Sequence, residues 1–152
     1  MSDKNTFFHQ KLLLNVQGKL LDLSIPKVMG IVNLTPDSFY DGGEANTVSK
    51  ALSQTGIMME EGASFIDLGA YSSRPNAEHI TAAEEIKRLM PPLKAIVKEF
   101  PQAVISIDTF RATVARAAVD AGAHLINDIS GGEMDEDMFR TAAELKVPYV
   151  LM

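Results

Sequence analysis

Two stretches of the chain share one plan: Gly62-Ala-Ser-Phe-Ile-Asp67 and Gly122-Ala-His-Leu-Ile-Asn127. In each, a glycine suited to ending a helix is followed by a short apolar run that closes on a polar side chain. The flanking sequence extends the plan. Val48, Ala51, Leu52, Thr55, Ile57, Met58 and Met59 recur near helical spacing before Gly62, and Ser64 to Leu68 reads as a strand. Ala82 to Phe100 reads as a helix with Ile86, Leu89, Met90, Leu93, Ile96 and Val97 on one face, which Pro91-Pro92 are expected to kink or split. Val104 to Asp108 is the next strand. Thr109 is placed to cap a helix running through Val114, Ala117, Ala118 and Val119 to Gly122, with His124 to Asn127 as the strand after it. A last helix, Asp135 to Lys146, leads into Pro148-Tyr-Val-Leu-Met152. Such alternation predicts parallel strands joined by crossover helices.

Ahead of these units, Leu12 to Val16 and Leu20 to Leu23 flank Gln17-Gly18-Lys19 and predict a β-hairpin, closed off by Pro26 and serving as a lid or a plug. The expected organisation is therefore a tail and hairpin over residues 1–27 and a repeating α/β unit over 28–152. With 152 residues, 46% of them hydrophobic, the chain is long enough to bury a core. A formal charge of −6 argues against nucleic acid or an anionic membrane as the main partner. The absence of cysteine excludes disulfides and thiolate metal sites and allows a reducing cytoplasm. No run has the length of a membrane span, and the first ten residues lack a signal-peptide core.

Polar residues gather where the strands end. Asn33, Asp67, Asp108, Asn127 and Asp128 all lie within or just beyond apolar runs, at the carboxyl ends where α/β proteins collect ligands. Each also has a structural reading: Asn33 as an Asx turn, Asp108 or Thr109 as a helix cap, Asn127 as the partner of a buried backbone group. Their shared position at successive strand ends favours a convergent polar ring. The loop after the second strand of the repeat, Gly69-Ala-Tyr-Ser-Ser73-Arg74-Pro75-Asn-Ala77, adds hydroxyls and an arginine whose planar fork suits phosphate or carboxylate. His9, His79 and His124 show no metal-ligand spacing, and Gly131-Gly132 reads as a turn.

The run Met29-Gly-Ile-Val-Asn-Leu-Thr-Pro-Asp-Ser-Phe-Tyr-Asp-Gly-Gly43 resembles the opening signature of the dihydropteroate synthases. Ser72-Ser73-Arg74-Pro75 is similar to that family's Ser-Thr-Arg-Pro loop, Ile107-Asp108-Thr109 to its Asp-Thr strand end, and Gly122 to Asp128 to its Gly-Ala-x-x-Ile-Asn-Asp segment. The resemblance implies a (β/α)₈ TIM barrel, of which this chain supplies an N-terminal hairpin and the half barrel from the first βα unit to the fifth strand. It further implies condensation of 6-hydroxymethyl-7,8-dihydropterin pyrophosphate with p-aminobenzoate to dihydropteroate and pyrophosphate, a transferase step of folate biosynthesis. By the same resemblance Asp108 and Asn127 would hydrogen-bond the pterin, Ile129 and Met152 would pack on its ring, and Ser73 and Arg74 would contact the leaving group or p-aminobenzoate. Asn33 would help hold a Mg²⁺-pyrophosphate, making Arg74 and Asn33 the expected catalytic pair.

The sequence departs from the family at Ala70-Tyr71, where Gly-Glu is common, at Ser73 in place of threonine, and at Asn76 in place of glycine. A full barrel takes roughly 250 residues. The expectation is of a cytoplasmic parent enzyme, homodimeric at full length, whose later pterin aspartate, lysine, arginine and histidine lie outside this sequence, leaving the fragment alone inactive. Three alternatives stand beside it: an open flavodoxin-like sheet, the pterin- or folate-binding module of a corrinoid methyltransferase, and a non-catalytic half barrel completed by a partner chain. Strand order separates the first from a barrel wall.

Overall fold

The computed structural model describes residues 12–35, 43–71 and 79–152. Strands β1 (Leu13–Val16) and β2 (Lys19–Asp22) form the antiparallel hairpin, with Val16 paired to Lys19 across a two-residue turn. Gln17 and Gly18 both have positive φ, 47° and 83°, the mirror-image turn that matches strand twist. The side chain of Asn15 steadies it by accepting the Gly18 N–H at 2.9 Å. Val16, Lys19 and Leu21 share a crevice with Ala103, Val104 and His124, which lie at the amino ends of the parallel strands. The hairpin is thus a plug beneath the sheet, at the opposite end from the polar strand termini.

The second sheet holds β3 (Met29–Asn33), β4 (Phe65–Gly69), β5 (Val104–Asp108), β6 (Leu125–Asp128) and β7 (Tyr149–Leu151), all parallel and hydrogen-bonded in chain order. A flavodoxin-like sheet reverses direction partway through its strand order, so this unbroken order excludes it. The intervening helices, α1 (Gly43–Glu60), α2 (Ala82–Glu99), α3 (Ala112–Asp120) and α4 (Met138–Leu145), pack side by side, α1 on α2, α2 on α3 and α3 on α4. A singly wound sheet with its helices in one consecutive row is the wall of a (β/α)₈ barrel, and this chain supplies about half of it.

Alternation along the strands divides the sheet into two faces. Val32, Ile66, Leu68, Ile105 and Ile107 point to the helices and form one core with Leu89, Leu93, Ile96, Val114 and Ala118. Ile126 joins Ala115, Met138 and Ala142 in a smaller cluster under α4. The other face carries Ile31, Asp67 and Ser106 in one row, and Asn33, Gly69, Asp108, Asn127 and Val150 in the next.

Helix α2 runs unbroken through Pro91 and Pro92, so the expected split does not occur. Each interior proline costs about 3 kcal/mol through a lost N–H donor and ring crowding. Leu89, Leu93 and Ile96 are all at most 1% exposed, and burial of each contributes about 1.5–3 kcal/mol. They lie on both sides of the proline pair, so one core anchors both halves of the helix. Gly62 and Gly122, at φ 100° and 108°, end α1 and α3 as their spacing predicts. Among the described residues, no helix is long and apolar enough to cross a membrane.

Candidate functional site

The strand register brings four of the polar strand-end residues onto one surface. Asp108 pairs with Asn127 on one side and Gly69 on the other, and Gly69 pairs with Asn33. Asp67 lies one row deeper, opposite Ser106. Gly69 is what gives Asp108 its space: a Cβ there would lie 3.2 Å from Asp108 Oδ2 and 3.4 Å from its Cβ. Asn127 Nδ2 donates to Asp67 Oδ2 at 3.0 Å, which fixes the orientation of its amide. Among the described residues, Asn127 Oδ1 is buried without a hydrogen-bond partner, and Asp67 Oδ1 and Ser106 Oγ, neighbours across the strand pair, have no well-formed bond beyond each other. A buried polar atom without a good partner costs roughly 1–3 kcal/mol, so these under-satisfied groups mark a surface built to meet something polar.

Electrostatics agree. Burial raises the Asp67 carboxyl above the usual carboxylate range, opposed by the neighbouring Ser106 hydroxyl and Asn127 amide. Asp108 is pushed up to about 6, first by burial and then by the negative charges of Asp67, Glu85 and Asp128. Asp108 also borders a cavity of about 200 Å³, walled by Tyr71, Thr109, Phe110, Ile129 and Met134. Acceptors on one side and aromatic, aliphatic and thioether groups on the other suit a flat heterocycle with a hydrogen-bonding edge. A wider groove of about 590 Å³ opens between α3 and α4. Its Arg116 and Arg140 are ion-paired with Glu144 and Asp137, and it lies on the helix side, away from the strand ends.

Not every polar strand-end residue joins the ring. Asp128 points to the helix side and is fully buried. There it accepts the Ser130 N–H and hydroxyl at 2.8 and 2.7 Å, the Gly132 N–H at 3.1 Å and the Tyr149 hydroxyl at 2.6 Å. It organises the loop after β6, and burial together with this bond holds the Tyr149 phenol well above its ordinary range. Thr109 does not cap α3 either. Its hydroxyl donates to Glu85 at 2.7 Å and accepts the Arg111 N–H at 3.2 Å. The cap comes from afar, where Asp135 Oδ2 accepts the Ala112 N–H at 2.8 Å.

Of the residues singled out from sequence, Asp108, Asn127 and Ile129 meet at the cavity and its adjoining row, and Asn33 stands exposed at the end of β3 on the same face. Met152 follows β7 and is 67% exposed, with its carbonyl against the Gly131 turn. Ser73 and Arg74 lie outside the described residues. Sequence reasoning passed over Ser106, Phe110 and Met134, and noted Tyr71 only as a departure. Ser106 had one available signal, a lone hydroxyl inside the apolar run Val104 to Ile107.

The family model "Pterin binding enzyme" matches residues 29–152. The mitochondrial folate synthesis bifunctional protein of Pisum sativum is 54% identical over 127 residues, 82% of this chain and 25% of that protein. The dihydropteroate synthase of Streptococcus pyogenes serotype M1 is 46% identical over 135 residues, 89% of this chain and 50% of that one. Among solved structures, Xanthomonas albilineans dihydropteroate synthase with 4-aminobenzoic acid superposes with a TM-score of 0.85 at 42% identity, covering 93% of this chain and 52% of its own. The same enzyme in complex with 7,8-dihydropteroate gives a TM-score of 0.79 at 40% identity, covering 92% and 50%. The chain therefore spans about half the length of the bacterial proteins it matches.

Proposed function

Because the chain belongs to the pterin-binding enzyme family, we propose that it supplies the pterin-binding half of a dihydropteroate synthase. In the proposed reaction the amine of p-aminobenzoate attacks the methylene carbon of the pterin pyrophosphate. A C–N bond forms, the C–O bond to pyrophosphate breaks, and the amine gives up a proton. The observation that carries this reading is the row Asp108–Asn127 with Asp67 behind it, where among the described residues Asn127 Oδ1 is buried without a partner and Asp67 Oδ1 has only the Ser106 hydroxyl beside it. An ionised Asp108 accepts adjacent N–H donors from the amino-pyrimidine edge, and Asn127 Oδ1 accepts a further one. Specificity follows because a heterocycle lacking those donors leaves the acceptors buried and unpaired. Ile129 and Met152 are assigned to the faces of the ring.

The reaction demands stabilisation of departing negative charge more than a strong base. Arg74, with Ser73, is assigned to that charge. Mg²⁺ is proposed at Asn33, whose amide oxygen is a hard, neutral donor at the exposed rim of the inner face. Among the described residues no group of three or more acidic or histidine side chains forms a metal cage. Mg²⁺ brought in with pyrophosphate keeps phosphate oxygens and water as most of its ligands, with Asn33 proposed as one protein ligand. When bound, the ion would neutralise charge on the leaving pyrophosphate. A cytoplasmic setting and a homodimeric parent belong to the same proposal and rest on the family resemblance.

The experiment is a titration of the chain with 6-hydroxymethylpterin, followed by its fluorescence, alongside p-aminobenzoate-dependent pyrophosphate release by the chain and by a parent carrying these residues. Binding that Asp108→Asn weakens tenfold or more supports the reading. Equal binding by the variant would remove it.

A further inference from the structure

The apolar wall of the Asp108 cavity is held from behind by an ion pair whose carboxylate is buried. Glu85, in the first turn of α2, is fully buried, and both of its carboxylate oxygens are used. Oε1 accepts the Thr109 hydroxyl at 2.7 Å, and Oε2 accepts Arg111 Nη1 in a charged bond. Arg111 Nη2 donates to the Ile80 carbonyl at 2.8 Å. So anchored, the guanidinium carbon lies 5.1 Å from the centre of the Tyr71 ring and 4.8 Å from that of Phe110. The two rings meet edge to face with centroids 5.0 Å apart. Tyr71 is fixed at its other end, where its hydroxyl shares a hydrogen bond with His79 Nδ1 at 2.6 Å.

Two features set this arrangement apart from ordinary fold stabilisation. Arg111 is the N-cap of α3 and makes no side-chain capping bond there. A cation at a helix N-terminus opposes the helix dipole, and that end favours Ser, Thr, Asp or Asn. The carboxylate it meets is withdrawn from water, and a buried ion pair is a poor source of net stability compared with apolar packing. What the pair does provide is position: a guanidinium locked at two points is held over two rings that border the cavity.

We infer that Arg111, locked by Glu85, is a positioning residue that sets Tyr71 and Phe110 as the rigid aromatic wall against which the ring bound at Asp108 is held. The inference rests on the pterin reading for the identity of that ring. The wall itself is a property of the four side chains.

The test compares the unaltered chain with Arg111→Lys and with the double variant Glu85→Gln/Arg111→Met, which removes both charges and leaves no buried ion unpaired. Melting temperature, the nuclear Overhauser contact between the Tyr71 and Phe110 rings, and affinity for 6-hydroxymethylpterin are measured for each. The expected result is a double variant that melts within a few degrees of the unaltered chain, loses the ring contact and binds the pterin about tenfold more weakly. Arg111→Lys should fall between, because lysine keeps the charge but not the fork. A folded double variant that retains the ring contact, or loses it and binds undiminished, overturns the inference. If the double variant does not fold, Arg111→Lys decides by the same two readouts. Asp108→Asn runs in parallel: should it bind as well as the unaltered chain, the pterin reading fails, while the ring contact still decides whether Arg111 sets the wall.

Discussion

Asn127 gives its side-chain N–H to Asp67 at 3.0 Å and keeps its own carbonyl oxygen buried without a partner among the described residues. That one bond orients an amide across two strands, so its acceptor is aimed before any ligand arrives. Organising the acceptor in advance raises affinity by removing an ordering cost from binding.

Asp108→Asn should separate stability from binding. The half-buried carboxylate is a liability in the free protein at neutral pH, because its pKa is raised to about 6. The substitution should stabilise the free chain at pH 8 by roughly 1–2 kcal/mol, the full linkage value being reduced for partial exposure, and weaken pterin at least tenfold. Urea denaturation and fluorescence titration measure the two effects.

The sign with pH follows from the same shift. A carboxyl whose folded pKa is raised contributes stability that is full below its unfolded pKa near 3.8 and is lost as pH rises through about 6. This contribution should therefore grow as pH falls from 7 to 4, while pterin affinity declines over the same window because a protonated Asp108 accepts fewer hydrogen bonds. Asp108→Asn should flatten both trends. A wild-type affinity independent of pH between 4 and 8 would contradict the assignment.

Gly69→Ala tests the space beside Asp108. Its new methyl would lie 3.2 Å from Asp108 Oδ2, close enough to turn the carboxylate aside. Pterin affinity should drop about tenfold, the scale of a small misplacement at a binding group, with a change in melting temperature of only a few degrees.

Asp128→Ala should act on stability. It removes the acceptor for four bonds from Ser130, Gly132 and Tyr149, and leaving buried donors unpaired costs about 1–3 kcal/mol each where water cannot reach them. A loss of roughly 3 kcal/mol in urea denaturation is expected, and Tyr149→Phe should cost about 1 kcal/mol.

The hairpin turn offers a gain. Gln17 holds φ 47° ahead of Gly18, a conformation that asparagine tolerates better. Gln17→Asn should raise stability by roughly 0.5 kcal/mol, detectable as a higher melting temperature.

What the sequence disclosed followed from local rules. Gly62 and Gly122 announced helix ends because a left-handed residue at that point is a backbone requirement, and the apolar runs between polar punctuation marked the strands. Asp128 misled because β6 ends on two polar residues in succession. Only pairing with β5 determines that Asn127 takes the inner face and Asp128 the outer. Glu85 was invisible for a different reason: an acid in the first turn of a helix reads as a solvated dipole partner, and nothing nearby in sequence says that it meets Thr109 and Arg111. Pro91-Pro92 obeyed the local rule less than the core around them.

The unbroken strand order also bears on how the wall can be built. Because each parallel strand pairs with the one before it, a growing chain can add one strand and its covering helix at a time, closing only the loop just synthesised. Loop closure of that kind is entropically mild, and it leaves one advancing edge in place of several distant pairings to be found at once.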